Sequence, residues 1–312
     1  MNLLNRSHED DFIILGFYEY PHLQILLFFV FMTLYILCSL ENIILIVIIF
    51  ADSHLHRPMY FFLCNLSSVD FFFVSLIIPK LLLTLLDVRS TPYLQCLTQF
   101  YVYSVLQCDE LITLTVMSYD RYVAICNPLH YNFVLSRKII ALLVAVTWIL
   151  SLLFPVPNLS MIVLWFPFCK DHIIDHVLCD LEPLLTLLCG DLTQMRFYIR
   201  IVGSLVVGPA FLLTVTSYIF IIFVILKIKS SEGRFKAFST CSSHLSVITI
   251  LYMILVCGYL FPKNYSNNTK ITSLLNTVLI PILNPLLYSL RNAEVKAALQ
   301  RCFTKICLQI TV

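Results

Sequence analysis

Charge is scarce in this 312-residue chain. Only 12% of the residues are Asp, Glu, Lys or Arg, against 60% hydrophobic, and the mean hydropathy is +0.90. A water-soluble domain does not have this composition; a multispanning membrane protein does. Net charge is low as well, at +2, so bulk electrostatics give no case for nucleic-acid binding. No internal repeat, low-complexity tract or linker interrupts the chain, which therefore reads as one domain. The lack of a half-repeat with broken helices speaks against a duplicated transporter. No oxyanion-hole glycine motif accompanies Ser242, Ser243 and His244, which argues against an intramembrane hydrolase. No secretory signal precedes the first apolar run. Met1–Asp11 is short and polar, so the first span is expected to act as its own insertion signal.

What is present is a series of long apolar runs. Seven are long enough to cross a hydrocarbon core of roughly 30 Å: Leu23–Phe50, Met59–Leu86, Leu97–Arg121, Ile139–Leu164, Phe197–Ile228, Phe238–Phe261 and Ile271–Leu290. In lipid each must satisfy its own backbone hydrogen bonds, which makes them helices. The expected fold is an all-α membrane protein, a seven-transmembrane helix bundle at 23–290 between an outer tail at 1–22 and an inner tail at 291–312. Orientation follows from Lys and Arg in the connecting segments. With the N-terminus outside, the inner segments hold Arg57, Arg137, Lys138, Lys227, Lys229, Arg234, Lys236, Arg291, Lys296, Arg301 and Lys305. The outer ones hold Arg6, Arg89, Lys170, Arg196, Lys263 and Lys270. This bias favours an N-terminus outside and a C-terminus inside, extracellular and cytoplasmic if the bilayer is the plasma membrane. Beyond the last span, Ala297, Ala298, Leu299 and Phe303 alternate with Lys296, Arg301 and Lys305, the pattern of a short amphipathic helix on the inner membrane surface. Cys302 and Cys307 at its end are candidates for acylation.

Several short motifs fall on the expected outer side. Asn5-Arg6-Ser7 is a glycosylation sequon in the tail, and sequons also begin at Asn264 and Asn267 near the membrane. The one at Asn65 lies inside a span, where no glycan can be added. Of twelve cysteines, four are expected outside: Cys96, Cys169, Cys179 and Cys189, and spacing leaves all three pairings open. His172, Asp175 and His176 have helix-like spacing but read as a solvated loop face rather than a metal set.

Three carboxylates lie deep inside spans. Glu41 is eleven residues from Asp52, Asp70 twelve from Pro58, and Glu110 eleven from Arg121. At about 1.5 Å per residue all three sit about 16–18 Å from the inner face. Acids facing lipid are costly, so a shared interior cluster is expected, with Asn42, Ser67 and Asn284 as hydrogen-bonding partners. Such a cluster suits a sodium ion or a shared proton. Asp109 points about 100° away from Glu110 and has no assigned role.

The most specific stretch is Met117-Ser118-Tyr119-Asp120-Arg121-Tyr122-Val123-Ala124-Ile125-Cys126, followed by Asn127-Pro128-Leu129-His130-Tyr131. It resembles the inner end of the third helix in the odorant receptor family of rhodopsin-like G-protein-coupled receptors. Pro58-Met59-Tyr60-Phe61-Phe62-Leu63 with Asp70 resembles the second-helix signature. Ser217-Tyr218 resembles the fifth-helix pair, and Lys236 to Leu245 the sixth-helix start. Pro281 to Asn292, with Asn284, Pro285 and Tyr288, resembles the seventh-helix end. Two positions depart from the family: Glu41 stands where glycine is usual, and Phe261 where a basic residue is common.

The resemblance implies disulfides Cys96–Cys179, pinning the second outer loop to the third helix, and Cys169–Cys189 within that loop. It implies that Asp120 restrains Arg121 at rest. On activation the sixth helix swings outward and Tyr218 and Tyr288 turn inward, with Tyr122 beside the arginine. A stimulatory, olfactory-type heterotrimeric G protein then docks against Arg121 and cyclic AMP rises. Pro209, Pro281 and Pro285 would permit the bends. The ligand site is expected in the outer half. Helical spacing selects Tyr103, Ser104, Gln107 and Cys108 on the third helix, and Val202 and Val206 on the fifth. Leu255 and Tyr259 follow on the sixth, Leu274 and Thr277 on the seventh, with Tyr252 deeper as a relay. With no carboxylate in the third helix's outer half, a small neutral odorant fits better than a cationic amine. The alternative is a receptor of the same build for a non-volatile metabolite outside olfactory tissue.

Overall fold

The computed structural model describes residues 11–169, 172–260, 265–291 and 293–310, without the side chains of 236, 240, 257–260, 265–269, 289–291, 293, 303 and 305–310. Helices run over Gln24–Ala51, Pro58–Leu85, Tyr93–Cys126, Arg137–Leu153 continued by Val156–Leu164, Thr193–Lys227, and Ser231–Leu260. The last spans Tyr265–Leu274 and passes through a π turn at Leu275–Leu279 into Ile280–Arg291. They are called the first to seventh helices below. All but the third are long and apolar enough to cross a membrane on composition alone. The third carries Asp109, Glu110, Asp120 and Arg121, and it is well enclosed, with 18 of its 34 residues buried. Its polar groups are screened from lipid by its neighbours, which resolves the apparent conflict between its charge and its place in a membrane. The fourth helix is the opposite case. Its first segment fully buries only Ile140, Thr147 and Ser151 and leaves most of the rest exposed.

Prolines set the breaks. Pro58 opens the second helix, where its missing N–H is no loss. The fourth helix, expected as one run, is interrupted between Leu153 and Val156, because the ring of Pro155 removes a backbone donor. The π turn at Leu275–Leu279 ends just before Pro281, whose ring crowds the carbonyl four residues earlier at Thr277.

Asn65 joins three helices. Its Nδ2 donates to Asp109 Oδ2 and Thr113 Oγ1, both at 3.1 Å, and its Oδ1 accepts from Trp148 Nε1 at 2.8 Å. Asp109, without a role on sequence grounds, is thus a packing group of the second, third and fourth helices. Interhelical bonds in membranes are worth about 0.6–2 kcal/mol each. Asn65→Ala should therefore cost about 2–3 kcal/mol and lower the thermal unfolding midpoint of purified receptor by several degrees. An unchanged midpoint would show that the seam carries no weight.

The end expected to face outward, called outer below, is capped by the segments expected as N-terminal tail and second outer loop. Three short strands, β1 (Phe12–Ile14), β2 (Ser90–Thr91) and β3 (Ile173–Ile174), form a sheet in the order β2-β1-β3, β1 antiparallel to β2 and parallel to β3. Phe12 and Ile14 point inward with no exposed surface, packing on Cys96, Leu97 and Phe100 at the third helix's outer end. Gly16 follows with φ +58°, and a Cβ there would stand 3.0 Å from Thr84 Cγ2, so only glycine fits this turn. A final helix, Ala293–Ile310, follows the seventh at the opposite end, where an amphipathic surface helix was expected.

Candidate functional site

The site has three levels along the bundle axis. At the inner end, Asp120 is buried and accepts a 2.8 Å hydrogen bond from the phenol of Tyr131, in the turn beyond the third helix. Burial first, and then the neighbouring Asp120 charge, push the Tyr131 phenol above its ordinary range, so it stays a donor. Arg121 and Asp120 form no direct ion pair, but the two lie within electrostatic reach of each other. Adjacent helical residues diverge by about 100°, and Tyr131 claims the carboxylate instead. Arg121 is half-buried, within electrostatic reach of Tyr218, Cys241, His244 and Tyr288. Tyr122 beside it packs its ring 5.9 Å from Phe220.

Tyr218 and Tyr288 are both buried and flank one residue, His244. The Tyr218 hydroxyl and His244 Nδ1 are hydrogen-bonded at 2.6 Å, and the His244 and Tyr288 rings lie 6.2 Å apart. On sequence grounds His244 enters only the hydrolase reading argued against above. Its signal was faint: a fully buried histidine needs a polar partner, and only the fold shows that the fifth helix supplies one. Ser242, its neighbour, donates to the backbone carbonyl of Ser239.

At mid-depth, Asn284 Nδ2 donates to Asp70 Oδ2 at 2.9 Å, and Glu110 lies within charge-interaction range of both Asp70 and Asp109. Pro285 follows Asn284 inside the seventh helix. Asn42 belongs to the same level but bonds elsewhere, to the Cys38 carbonyl at 2.9 Å and the Pro281 carbonyl at 3.1 Å, tying the first helix to the seventh. Glu41 is half-buried on the first helix, and no hydrogen bond among the described residues links it to the other acids. Ser67 is buried beside them. Six oxygens at this level, Glu41 Oε2, Asn42 Oδ1, Asp70 Oδ1, Glu110 Oε1 and Oε2, and Asn284 Oδ1, are buried and accept no hydrogen bond among the described residues.

At the outer level the structure separates the expected ligand set. Gln107, Val202 and Val206 are half-buried, and Leu255 is buried in the same core cluster that Val206 and Tyr252 pack against. The Tyr252 ring meets Phe211 edge-on at 5.1 Å. Leu274 is half-buried, and Thr277 donates to the Ser273 carbonyl at 2.7 Å. Ser104 donates to the Phe100 carbonyl at 2.8 Å. Tyr103 turns to the second helix, stacking on Phe73 at 5.2 Å, and Cys108 turns to Ser151 of the fourth. The Tyr259 side chain, Phe261 and the sequon at Asn5 lie outside the described residues.

The lid is tied on all sides. Cys96–Cys179 and Cys169–Cys189 are both bonded, with Cα separations of 5.4 and 5.8 Å. Cys179 N donates to Gln99 Oε1 at 3.0 Å. Lys270 of the seventh helix, 6% exposed, pairs with Asp175 of the lid and lies 4.0 Å from Glu19, while Ser273 donates to Asp180 at 3.3 Å. The candidate metal set diverges: Asp175 pairs with Lys270, His176 is buried against its own backbone at Leu178, and His172 packs edge-on to Phe12. Both acids facing Lys270 keep contact with water, so the pair is worth about 1 kcal/mol. Lys270→Met should loosen the lid and speed signal decay after ligand washout several-fold; an unchanged decay would mean the lid does not gate exchange.

A family model described as olfactory receptor matches residues 31–306. Among curated proteins, the chain is 42% identical over 304 residues to Olfactory receptor 1E2 of Gorilla gorilla gorilla, covering 96% of each. It is 40% identical over 311 residues to Olfactory receptor 1E16 of Mus musculus, covering 99% of each. It is 44% identical over 294 residues to Olfactory receptor 5I1 of Homo sapiens, covering 93% of each.

Proposed function

This chain belongs to the olfactory receptor family, seven-helix G-protein-coupled receptors of the plasma membrane and not enzymes, and from that premise we propose its ligand and its partner. The ligand is a small, mostly apolar, neutral odorant held in the outer half of the bundle. The partner is a stimulatory, olfactory-type G protein docking on the inner face around Arg121, with cyclic AMP as output. One observation supports this most. Of the expected lining residues, Val206 and Leu255 are apolar and Gln107 and Thr277 carry only amide and hydroxyl groups, while the third-helix acids Asp109 and Glu110 are engaged elsewhere. Asp109 is bonded to Asn65 of the second helix, and Glu110 faces Asp70. Among these residues a cationic ligand finds no free counter-charge.

The four unpartnered oxygens of Asp70, Glu110 and Asn284 are hard donors of the kind a sodium ion takes, and they are equally suited to a shared proton. Either occupant would favour one receptor state, and a ligand shifts the balance only by binding the other state better. The N-terminus is placed outside, with a glycan at Asn5, and the C-terminus inside.

The test is a cyclic-AMP reporter screen of neutral volatiles against polar, non-volatile metabolites in cells with verified surface receptor. Neutral volatiles should account for the responses; responses only to the metabolites would replace this reading with a receptor for a non-volatile ligand. Among responders, Tyr259→Ala should alter the rank order of potencies, and an unaltered order would remove that residue from the pocket.

A further inference from the structure

The final helix carries two stripes. Val295 and Ala298 have no exposed surface and pack into the core beside the inner ends of the spans. Glu294, Ala297 and Arg301, spaced three and four residues apart, share a second stripe that faces the turn between the first and second helices. There, Arg57 Nη1 meets Glu294 Oε1 at 2.7 Å, and the phenol of buried Tyr60 donates to Glu294 Oε2 at 2.8 Å. Two helical turns on, Arg301 donates to Asp52 Oδ2 from Nε at 2.8 Å and from Nη2 at 2.6 Å. Asp52 Oδ1 in turn caps the turn at His54, accepting from its backbone N at 3.0 Å. A cavity lined by His54, Arg57, Glu294, Ala297 and Arg301 lies along this seam.

The signs are crossed. The turn offers an acid and then a base; the helix offers an acid and then a base; and each pairs with the opposite sign. Running the helix in the other direction, or sliding it by two turns, would bring like charges together. Apolar burial of Val295 and Ala298 holds the helix against the bundle but does not select its heading, because hydrophobic contact is non-directional. The ionic stripe does, and its two acids and two bases cancel, so the seam has no net charge to attract another ligand.

We propose that Asp52, Arg57, Glu294 and Arg301 are positioning residues. They set the heading of the surface helix, and through it hold the inner end of the seventh helix, Tyr288 included, in register for the G protein. The signalling arm of this inference rests on the coupling proposed above; the structural arm does not. Hydrogen bonds from Arg301, first, and from His54 hold the Asp52 carboxyl well below the usual carboxylate range. A lowered folded-state value means the stabilisation is present above the ordinary value of about 3.9 and lost only in stronger acid, so the seam is complete at cytosolic pH.

The experiment uses full-length receptor in nanodiscs, with spin-labelled unnatural residues at the exposed positions Ser53 and Gln300. Wild type should give one narrow distance distribution. Asp52→Arg and Arg301→Asp should each broaden it and, in cells, lower evoked cyclic AMP per surface receptor about tenfold. The double reversal should restore both. Unchanged distances and signalling in the single variants, or a double reversal that recovers neither, would overturn the proposal. If the reversals fail to reach the surface, Asp52→Asn and Arg301→Gln carry the same test, and narrow distributions in both would overturn it. A wild type that raises no cyclic AMP would remove the coupling reading and leave the distances to decide the clasp.

Discussion

Arg121→Ala should reduce ligand-driven cyclic AMP at least about thirtyfold, equivalent to about 2 kcal/mol or more at a docking hot spot, while surface receptor stays near wild type. The two halves of this expectation come from different observations. Arg121 is only half-buried, and Asp120, which loses a neighbouring charge in the variant, keeps its hydrogen bond from Tyr131, so the bundle should stay folded. Signalling differs because Arg121 lies within electrostatic reach of Tyr218, His244 and Tyr288, which come from three different helices. Full signalling with normal surface receptor would remove the arginine from the mechanism. Joint loss of surface receptor and signal would make it a folding residue.

Cys96→Ser should bring surface receptor to a small fraction of wild type, and Cys169→Ser should do so less severely. The ranking follows from loop length. Cys96–Cys179 closes 83 residues and Cys169–Cys189 closes 20. On a chain-entropy account these constrain the unfolded chain by about 4.5 and about 3 kcal/mol. Position acts in the same direction. Cys96 and Cys179 have no exposed surface and sit among Phe12, Ile14 and Leu184, so the first bridge also holds the core of the lid. The second closes a loop nearer the rim. Flow cytometry on non-permeabilised cells with an N-terminal epitope measures both variants, and equal or reversed severity would contradict the entropic account.

Much of this molecule could be read from residues alone, for a physical reason. The bilayer demands long apolar helices, so Leu23–Phe50 and Met59–Leu86 announce themselves and come within a few residues of Gln24–Ala51 and Pro58–Leu85. Asp70 and Glu110 come within charge-interaction range of each other, as a fixed helical rise predicts. Direction around a helix axis was less legible. Tyr103, Cys108 and Asp109 sit on a helix enclosed on all sides, and a centrally placed helix has no polar face from which to set its rotation. The β-lid was hidden because its strands are two or three residues long and pair segments distant in sequence. His244 and the crossed charges of the final helix were missed for the same reason: each acquires meaning only from a partner on another helix.

The account depends on a chain that crosses the bilayer an odd number of times, so that binding outside reaches a protein inside. Two epitopes on one receptor, at the N-terminus and at the C-terminus, test this directly by immunofluorescence with and without permeabilisation. The N-terminal epitope should stain intact cells and the C-terminal one only permeabilised cells; both staining together, in either condition, would contradict it.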